Sequence, residues 1–179
     1  MRRSARDDAE FTEFVAARSD QLYRSAYLLT TSPHAAEDLL QTTLTKVYVG
    51  WRRLRAANDP VAYAHGILIK SFLSERRLRR SGELPVDRTP EPPAREPVDP
   101  VERLTLMAAL AELAPLDRAA VVLRYWNDQS VAATAADLGL TEAAVKNRCL
   151  RGLRLLRDLL GDDAPDPTTS HPSSPNPVA

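Results

Sequence analysis

The chain has 179 residues, and its 24 lysines and arginines balance 24 aspartates and glutamates, so bulk charge selects no class of partner. The single cysteine, Cys149, excludes an intrachain disulfide, as is typical of a reducing compartment. No apolar run approaches the roughly 18 residues of a membrane span, and the amino terminus turns acidic where a signal peptide needs an apolar stretch. We therefore expect a soluble, cytoplasmic protein that does not associate with membranes.

Three helices are predicted in residues 1–80. Apolar residues recur at roughly helical spacing up to the first capping signal. That signal is Ser32-Pro33, an N-cap followed by a first-turn proline, and it starts a second helix over residues 33–54. Asp59-Pro60 repeats the signal and starts a third helix over residues 60–80.

Proline is concentrated in two segments, since residues 81–100 and 161–179 hold eleven of the fourteen prolines. The first segment carries two basic and five acidic side chains, and the second carries three acidic side chains and no basic one. Such compositions bury too little apolar surface to offset the entropy of ordering the chain. We expect a flexible linker at 81–100 and a disordered tail at 161–179, which leaves small helical domains at 1–80 and 101–160.

The second predicted domain is also helical. Its first helix starts at Asp99-Pro100 and is broken by Pro115. The residues expected on the inward side of this helix are Leu104, Met107, Leu110 and Leu113. The residues expected to cap the three helices that follow are Asp117, Ser130 and Thr141. Because no apolar run alternates as a strand does, the predicted fold is all-α.

The sequence AADLGLTEAAVKNRCLR, residues 135–151, has the pattern of a helix-turn-helix. Gly139 can adopt the left-handed conformation that ends the first helix, and Thr141 can cap the second. The expected inward positions of the second helix are Val145, Cys149, Gly152 and Leu156. The residues on the opposite or flanking surface are Lys146, Asn147, Leu150 and Arg151. Lysine, arginine and asparagine pair with base edges and phosphates, so the pattern favours DNA binding over a helical hairpin with a solvated basic face.

Two stretches resemble one protein family. Residues 113–160, LAPLDRAAVVLRYWNDQSVAATAADLGLTEAAVKNRCLRGLRLLRDLL, resemble the carboxy-terminal domain of RNA polymerase sigma factors of the extracytoplasmic-function group. Residues 35–54, AAEDLLQTTLTKVYVGWRRL, resemble the polymerase-binding helix of the same group. The resemblance extends over roughly residues 8–160, and within the group it is to the actinobacterial SigE-like subfamily.

The resemblance implies an alternative sigma factor. Such a protein binds core RNA polymerase through the clamp helices of the largest subunit and the flap, and it directs the enzyme to promoter DNA. The resemblance assigns core binding and recognition and melting of the −10 element to residues 1–80, and recognition of the −35 element to residues 101–160. An anti-sigma factor is a further partner to be expected for a member of this family.

The family's functional positions carry over residue by residue. Those implied in binding core polymerase are Asp38, Gln41 and Thr45. Those implied in binding the −35 element are Thr141, Glu142, Lys146, Asn147, Arg148, Leu150 and Arg151. Those implied in binding the −10 element are Arg55, Asn58, Asp59, His65, Lys70, Ser74 and Arg77.

The chain departs from the family pattern in the predicted −10 helix. It has His65, Gly66 and Lys70 where relatives often carry further arginines and an asparagine. A glycine inside a helix costs about 1 kcal/mol relative to alanine. The −10 sequence preference is therefore open at these positions, although the role of the helix is not.

Other kinds of chemistry find little support. The histidines show no ligand spacing, so no metal site is expected, and no arrangement of nucleophile, base and acid suggests an enzyme or a cofactor. Trp51, Trp126 and Cys149 are expected in the core. Two other functions remain open: a helix-turn-helix regulator that binds an operator by itself, and a helical interaction protein without DNA contact. Co-purification with core polymerase separates a sigma factor from both.

Overall fold

The computed structural model describes residues 5–81 and 100–161, and within these ranges all regular secondary structure is helical. The expected all-α fold is confirmed. The flexible linker predicted over 81–100 and the disordered tail predicted over 161–179 lie, at 82–99 and 162–179, outside the described residues. No helix in the described part of the chain is long and apolar enough to cross a membrane.

Four helices form the amino-terminal half: α1 (Ala5–Thr30), α2 (Pro33–Val49), α3 (Trp51–Arg55) and α4 (Pro60–Arg80). The predicted capping signals are confirmed, since the side chain of Ser32 accepts from the amide of Ala35 and Asp59 accepts from the first amides of α4. The predicted helix over 33–54 is divided at Gly50, whose φ of −91° and ψ of 15° leave the helical region. This bend turns Trp51 toward α1.

The aromatic contacts of Trp51 fix that bend. Its ring lies edge-on to Phe11 and Phe14, with centroid distances of 5.5 and 5.6 Å. Edge-to-face pairs at this spacing add to the apolar area that the rings bury. Trp51 is therefore the core residue that the sequence predicts.

Four further helices form the carboxy-terminal half: α5 (Pro100–Glu112), α6 (Pro115–Val121), α7 (Val131–Leu138) and α8 (Glu142–Leu160). A short π-helical segment, Val122–Trp126, continues α6. The predicted caps of α7 and α8 are confirmed, since the hydroxyls of Ser130 and Thr141 accept from the amides of Ala133 and Ala144 at 3.0 and 3.2 Å.

Three expectations for this half are wrong. The N-cap position of α6 is Ala114, and Asp117 lies inside the first turn, where its carboxylate faces α8 instead of capping. Leu104 is 57% exposed because the apolar cluster beneath α5 begins one turn later, at Met107. Trp126 is 50% exposed because it ends the π-helical segment, where the chain leaves the core.

The helices of both halves contribute to one hydrophobic core. Leu39, Leu68 and Phe72 of the amino-terminal half belong to the same cluster of buried side chains as Leu123 and Val145 of the carboxy-terminal half. α4 packs against α6 and α7, and α1 packs against α5, α6 and the π-helical segment. The two halves are therefore in direct contact, and this packing positions the exposed faces of α2, α4 and α8.

Candidate nucleic-acid interface

The turn between α7 and α8 has the geometry of a helix-turn-helix. Gly139 has φ of 64° and ψ of 38°, the left-handed conformation expected of it, which glycine adopts without steric cost. The amide of Leu140 donates to the carbonyl of Ala135 at 2.9 Å and closes the end of α7. Thr141 then caps α8, so the two helices are joined by a tight connection that is hydrogen-bonded at both of its ends.

The inward face of α8 is the predicted one. Its buried residues are Val145, Cys149, Gly152 and Leu156. A β-carbon on Gly152 would lie 2.7 Å from Cγ2 of Val121 and 3.1 Å from Cδ2 of Leu113. Because such contacts are shorter than van der Waals distance, only glycine lets α8 approach α5 and α6 this closely. Burial raises the pKa of the Cys149 thiol, consistent with its expected role as a small core residue.

The outward face of α8 presents most of the predicted −35 residues to solvent. The exposed members are Thr141, Glu142, Lys146, Asn147, Leu150 and Arg151. They lie in the first three turns of the helix, next to the turn. In a helix-turn-helix, the residues near the start of the second helix are those that reach base edges in the major groove.

Asp117 joins two predicted −35 arginines to α6. Its Oδ1 accepts from Nη1 of Arg148 at 2.8 Å and from Nη2 of Arg151 at 2.9 Å, and its Oδ2 accepts from Nε of Arg151 at 3.1 Å. Burial opposes ionisation of this carboxylate, but the hydrogen bonds from Arg151 and Arg148 outweigh it and lower the pKa of Asp117. The side chain of Arg148 is only 25% exposed and that of Arg151 is 61% exposed. Arg148 therefore anchors α8 to α6, whereas Arg151 keeps an accessible edge.

The predicted −10 residues do not form one surface. Lys70, Ser74 and Arg77 are exposed and follow one another along a single stripe of α4. Asn58 and Asp59 are exposed just before this helix, and Asp59 uses Oδ1 to cap it. This part of the set fits the predicted interface.

Arg55 is engaged by the start of α1. Its Nη1 donates to Oε2 of Glu10 at 2.7 Å and to Oδ1 of Asp7 at 3.3 Å. Hydrogen bonds from Arg55 and Arg6 lower the pKa of Glu10. A phosphate that binds Arg55 has to compete with these two carboxylates.

His65 lies in the interior, apart from the exposed −10 stripe. It is 2% exposed, its Nδ1 donates to the carbonyl of Val61 at 3.0 Å, and its Nε2 lies 3.2 Å from Oγ of Ser25. Burial lowers the pKa of His65, and the Val61 carbonyl and the charges of Asp59 and Asp137 partly oppose this shift. As a DNA-contacting residue His65 remains a prediction, and it requires that the side of α4 facing the carboxy-terminal half be uncovered.

The predicted polymerase-binding residues lie on the outer side of α2. Asp38, Gln41 and Thr45 are all exposed, and together with Thr42 and Lys46 they border a shallow surface depression. Nζ of Lys46 donates to Ser71 at 2.9 Å, which fixes this edge of α2 against α4. We refer to Asp38, Gln41 and Thr45 as the α2 ridge.

Two family models match this chain. Residues 14–82 match Sigma-70 region 2 and residues 103–156 match Sigma-70, region 4. The RNA polymerase sigma-E factor of Streptomyces coelicolor is 38% identical over 152 residues, which cover 84% of this chain and 86% of that protein. The ECF RNA polymerase sigma factor SigL of Mycobacterium tuberculosis is 32% identical, over 78% of this chain and 84% of that protein. The chain is an extracytoplasmic-function sigma factor.

The sigma factor associates with core RNA polymerase and promoter DNA and directs transcription initiation, as the resemblance implied. Its fold is that of RpoE in the co-crystal structure with the anti-sigma factor NepR from Bartonella quintana. That chain is 24% identical, with a TM-score of 0.70 and coverage of 86% of this chain and 98% of RpoE. CnrH in complex with the cytosolic domain of CnrY is 22% identical, with a TM-score of 0.60 and coverage of 88% and 91%.

Three acidic residues that contact the predicted site arginines are absent from the predicted set. The carboxylates of Asp7, Glu10 and Asp117 hold arginines that the family pattern assigns to DNA. Asp7 and Asp117 lie in the first turns of their helices, where the helix dipole alone explains an acidic residue, so the sequence gives no separate signal for their pairs with arginine.

Proposed function

We propose that the sigma factor divides promoter recognition between its two halves, in the cytoplasm and without catalysis of its own. Residues 1–80 bind core polymerase and recognise and melt the −10 element, and residues 101–160 recognise the −35 element. The linker over 81–100 connects the two activities. The observation that carries this proposal is the exposed polar and basic face at the start of α8, directly after the capped turn.

The face of α8 supports base recognition by its residue types and their order. Lys146 and Asn147 are exposed on the second turn, and Leu150 and Arg151 follow on the third. Lysine and arginine pair with guanine, asparagine pairs with adenine, and an apolar side chain contacts the thymine methyl group. This set can therefore distinguish base pairs in the major groove.

Two surfaces of the amino-terminal half support its assigned roles. The stripe of Lys70, Ser74 and Arg77 on α4 offers cations and a hydroxyl to a DNA strand. The α2 ridge offers polar side chains to core polymerase from a separate helix, so both partners can bind at once. An anti-sigma factor is the further partner that we propose from the family resemblance.

The −35 assignment is tested by replacing Lys146 with alanine in the full chain. Lys146→Ala should weaken binding of the holoenzyme to its promoter by about 1–3 kcal/mol if the side chain contacts a base, or reduce the salt dependence by about one ion if it contacts a phosphate. The matched control is Arg157→Ala, because Arg157 is exposed on the same helix about 16 Å further along. Run-off transcription and promoter binding across a salt series provide the measurements.

Core binding provides the internal reference for this test. Both variants should co-purify with core polymerase as the unchanged protein does, because neither residue lies on the α2 ridge. Equal promoter binding by Lys146→Ala and the unchanged protein, at every salt concentration and on altered −35 sequences, would favour the solvated basic face over DNA recognition.

A further inference from the structure

Asp117 uses only part of the hydrogen-bonding capacity of Arg151. A guanidinium offers N–H donors along a side edge and along an end edge. The carboxylate takes the side edge, where Oδ2 accepts from Nε at 3.1 Å and Oδ1 accepts from Nη2 at 2.9 Å. The end edge, formed by Nη1 and the outer N–H of Nη2, takes no part in these bonds. Since the side chain of Arg151 is 61% exposed, its end edge is open to a ligand.

The side edge fits a phosphate as well as a carboxylate, because arginine holds both through two parallel hydrogen bonds. Hydrogen bonds from Arg151 and Arg148 outweigh burial and lower the pKa of Asp117, so this carboxylate is ionised at neutral pH. A phosphate at the same guanidinium would have to displace that charge or approach it closely. The end edge of Arg151 therefore suits a neutral acceptor better than an anion.

The packing of α8 on α6 fixes both partners of this pair. A β-carbon on Gly152, next to Arg151, would lie 3.7 Å from the carbonyl oxygen of Asp117 and 2.7 Å from Cγ2 of Val121. Nη1 of Arg148 donates to Oδ1 of Asp117 at 2.8 Å and holds the carboxylate from a second side. Because it is already ordered, Arg151 loses less conformational freedom on binding DNA than an unpaired arginine does.

Another carboxylate of the helix-turn-helix has a different environment. Asp137 in α7 faces α4, where a β-carbon on Gly66 would lie 2.8 Å from its Oδ1 and 3.4 Å from its Cγ. Its Oδ2 accepts from Nε2 of Gln129 at 3.3 Å. These contacts belong to the packing of α7 against α4. Asp117, by contrast, places its charge beside the proposed DNA-binding face of α8.

The end edge of Arg151 matches the major-groove edge of guanine. Guanine presents two neighbouring acceptors there, N7 and O6, and arginine pairs with both at once, whereas adenine presents one acceptor beside a donor. Asn147 is exposed one turn earlier on the same side of α8. Arg151 therefore lies on the face that would line the groove, with two donors directed away from Asp117.

We propose that Asp117 determines specificity at the −35 site, because it fills the phosphate-binding edge of Arg151 and leaves the end edge for a guanine. The inference rests on the proposed recognition of the −35 element by α8. Asp117 contacts no base in this arrangement and acts through Arg151, so it is a positioning residue. Its charge affects which promoters are bound more than how tightly DNA in general is bound.

Binding of the holoenzyme to a promoter library with a randomised −35 element tests this role, with sequencing of the bound promoters as the measurement. Arg151→Ala should lower the preference for guanine at one −35 position by between about 5-fold and about 150-fold. Asp117→Asn should lower the preference at the same position by about 2-fold to about 30-fold. In the Arg151→Ala background, Asp117→Asn should have no further effect on base preference. The matched control is Asp158→Asn, an exposed position near the end of α8, which should leave the preference unchanged.

The salt dependence of holoenzyme binding distinguishes a positioning role from a purely structural one. Asp117→Asn frees the side edge of Arg151 for a phosphate, so the salt dependence should increase by about one ion. Arg151→Ala should leave the salt dependence unchanged, because the arginine contacts a base. Asp117→Ala is a second variant without the carboxylate and should behave as Asp117→Asn does. Circular dichroism at the assay temperature shows that each variant is folded.

Three results would overturn the proposal. One is a full guanine preference in folded Asp117→Asn or Asp117→Ala. Another is equal weakening of binding on every −35 sequence, since Asp117 would then only brace α8. The third is a reduced salt dependence in Arg151→Ala, which would place this arginine on a phosphate. Failure of the proposed function is separately visible, because the unchanged holoenzyme would then show no preference for any −35 sequence.

Discussion

The carboxylate of Asp117 determines what two arginines of α8 can do. A guanidinium that holds a carboxylate through two parallel hydrogen bonds is also oriented to hold a phosphate in the same way. Arg151 makes this paired contact and is mostly exposed, so its orientation is set before DNA arrives. Arg148 makes one contact and is mostly covered, so its main effect is to join α6 to α8.

The first prediction removes the charge of Asp117 and keeps its shape. Asp117→Asn should lower the free energy of unfolding by about 1–3 kcal/mol at neutral pH, because hydrogen bonds to charged groups contribute on that scale. Chemical denaturation provides the measurement, with Asp158→Asn as the matched control on the exposed side of α8. That control should change the free energy of unfolding by less than about 0.5 kcal/mol.

The sign of the pH dependence gives a further check on Asp117. Its pKa is lowered in the folded chain, so its contribution is present above the ordinary carboxyl pKa of about 3.9 and is lost as the pH falls through the folded value. The difference between the two proteins should therefore persist at neutral pH and disappear in acid. A difference that grows on acidification would contradict the pairing.

At the scale of residues, the sequence predicts local contacts better than distant ones. Ser130, Thr141 and Asp59 cap helices as expected, since their partners lie two or three residues away. The partners of Asp117 lie 31 and 34 residues away. No periodicity connects such positions, so the sequence indicates only a local role for Asp117, that of a helix cap.

The packing of α8 depends on one missing methyl group. Gly152 brings the backbone of α8 against Val121 and Leu113, and this approach fixes how the helix-turn-helix sits on the rest of its half. An added β-carbon would meet Val121, whose branched side chain has few alternative rotamers. The position therefore tolerates glycine better than alanine, although alanine is the better helix former.

The second prediction replaces Gly152 with alanine. Overpacking costs about 1–3 kcal/mol, whereas the gain in helix propensity is about 1 kcal/mol. The free energy of unfolding should therefore fall by up to about 2 kcal/mol. Val121→Ala removes the opposing methyl groups and provides the matched background. In a double-mutant cycle, Gly152→Ala should lower the free energy of unfolding less in the Val121→Ala background than in the unchanged protein. Equal costs in both backgrounds would show that the methyl group of alanine does not meet Val121.

At the scale of elements, capping signals in the sequence predict where the helices begin. Side-chain patterns do not predict the irregular segments between them. Pro33, Pro60, Pro100 and Pro115 each begin a helix, because proline fits the first turn and disrupts later ones. The bend at Gly50 and the π-helical segment carry no comparable signal. Both are set by tertiary packing, which brings Trp51 onto α1 and Asn127 onto Ser25.

The contact between the two halves buries a titratable group. His65 is covered by α1 and the carboxy-terminal half, and burial lowers its pKa. The neighbouring charges that oppose this shift are Asp59, at the start of α4, and Asp137, in α7. The packed form therefore favours the neutral imidazole.

The third prediction concerns the pH dependence of this packing. Because the folded pKa of His65 is depressed, the packed form is fully favoured above the unperturbed pKa of about 6.5 and is weakened as the pH falls toward the folded value. The midpoint of urea unfolding should therefore decrease between about pH 7.5 and about pH 5. Asp117 does not contribute in this interval, since its own titration lies at lower pH.

Two histidine variants test whether His65 causes the pH dependence of the urea midpoint. His65→Gln should flatten the profile, whereas His34→Gln should leave it unchanged, because His34 is exposed on α2. A profile that keeps its slope in His65→Gln would assign the acid sensitivity to another group.

For the whole molecule, the sequence predicts the two helical halves and does not predict how they pack together. Periodicity indicates which side chains are buried but not which helix covers them. The departures at His65 and Gly66 were the available signals, and both have their explanation in residues of α1 and α7 that are remote in the chain. A costly glycine in a helix indicates a close neighbour without identifying it.

The contact between Gly66 and Asp137 also constrains how this chain can diverge. A larger residue at position 66 is compatible with the packed halves only after the carboxylate at position 137 is shortened or lost, so the two positions are expected to covary among descendants that retain the contact. A larger residue at Gly66 alone is expected to loosen the packing of the two halves, and a smaller residue at position 137 is expected to restore it. The fit between the two halves can thus change through these two positions while the exposed outward face of α8 stays the same.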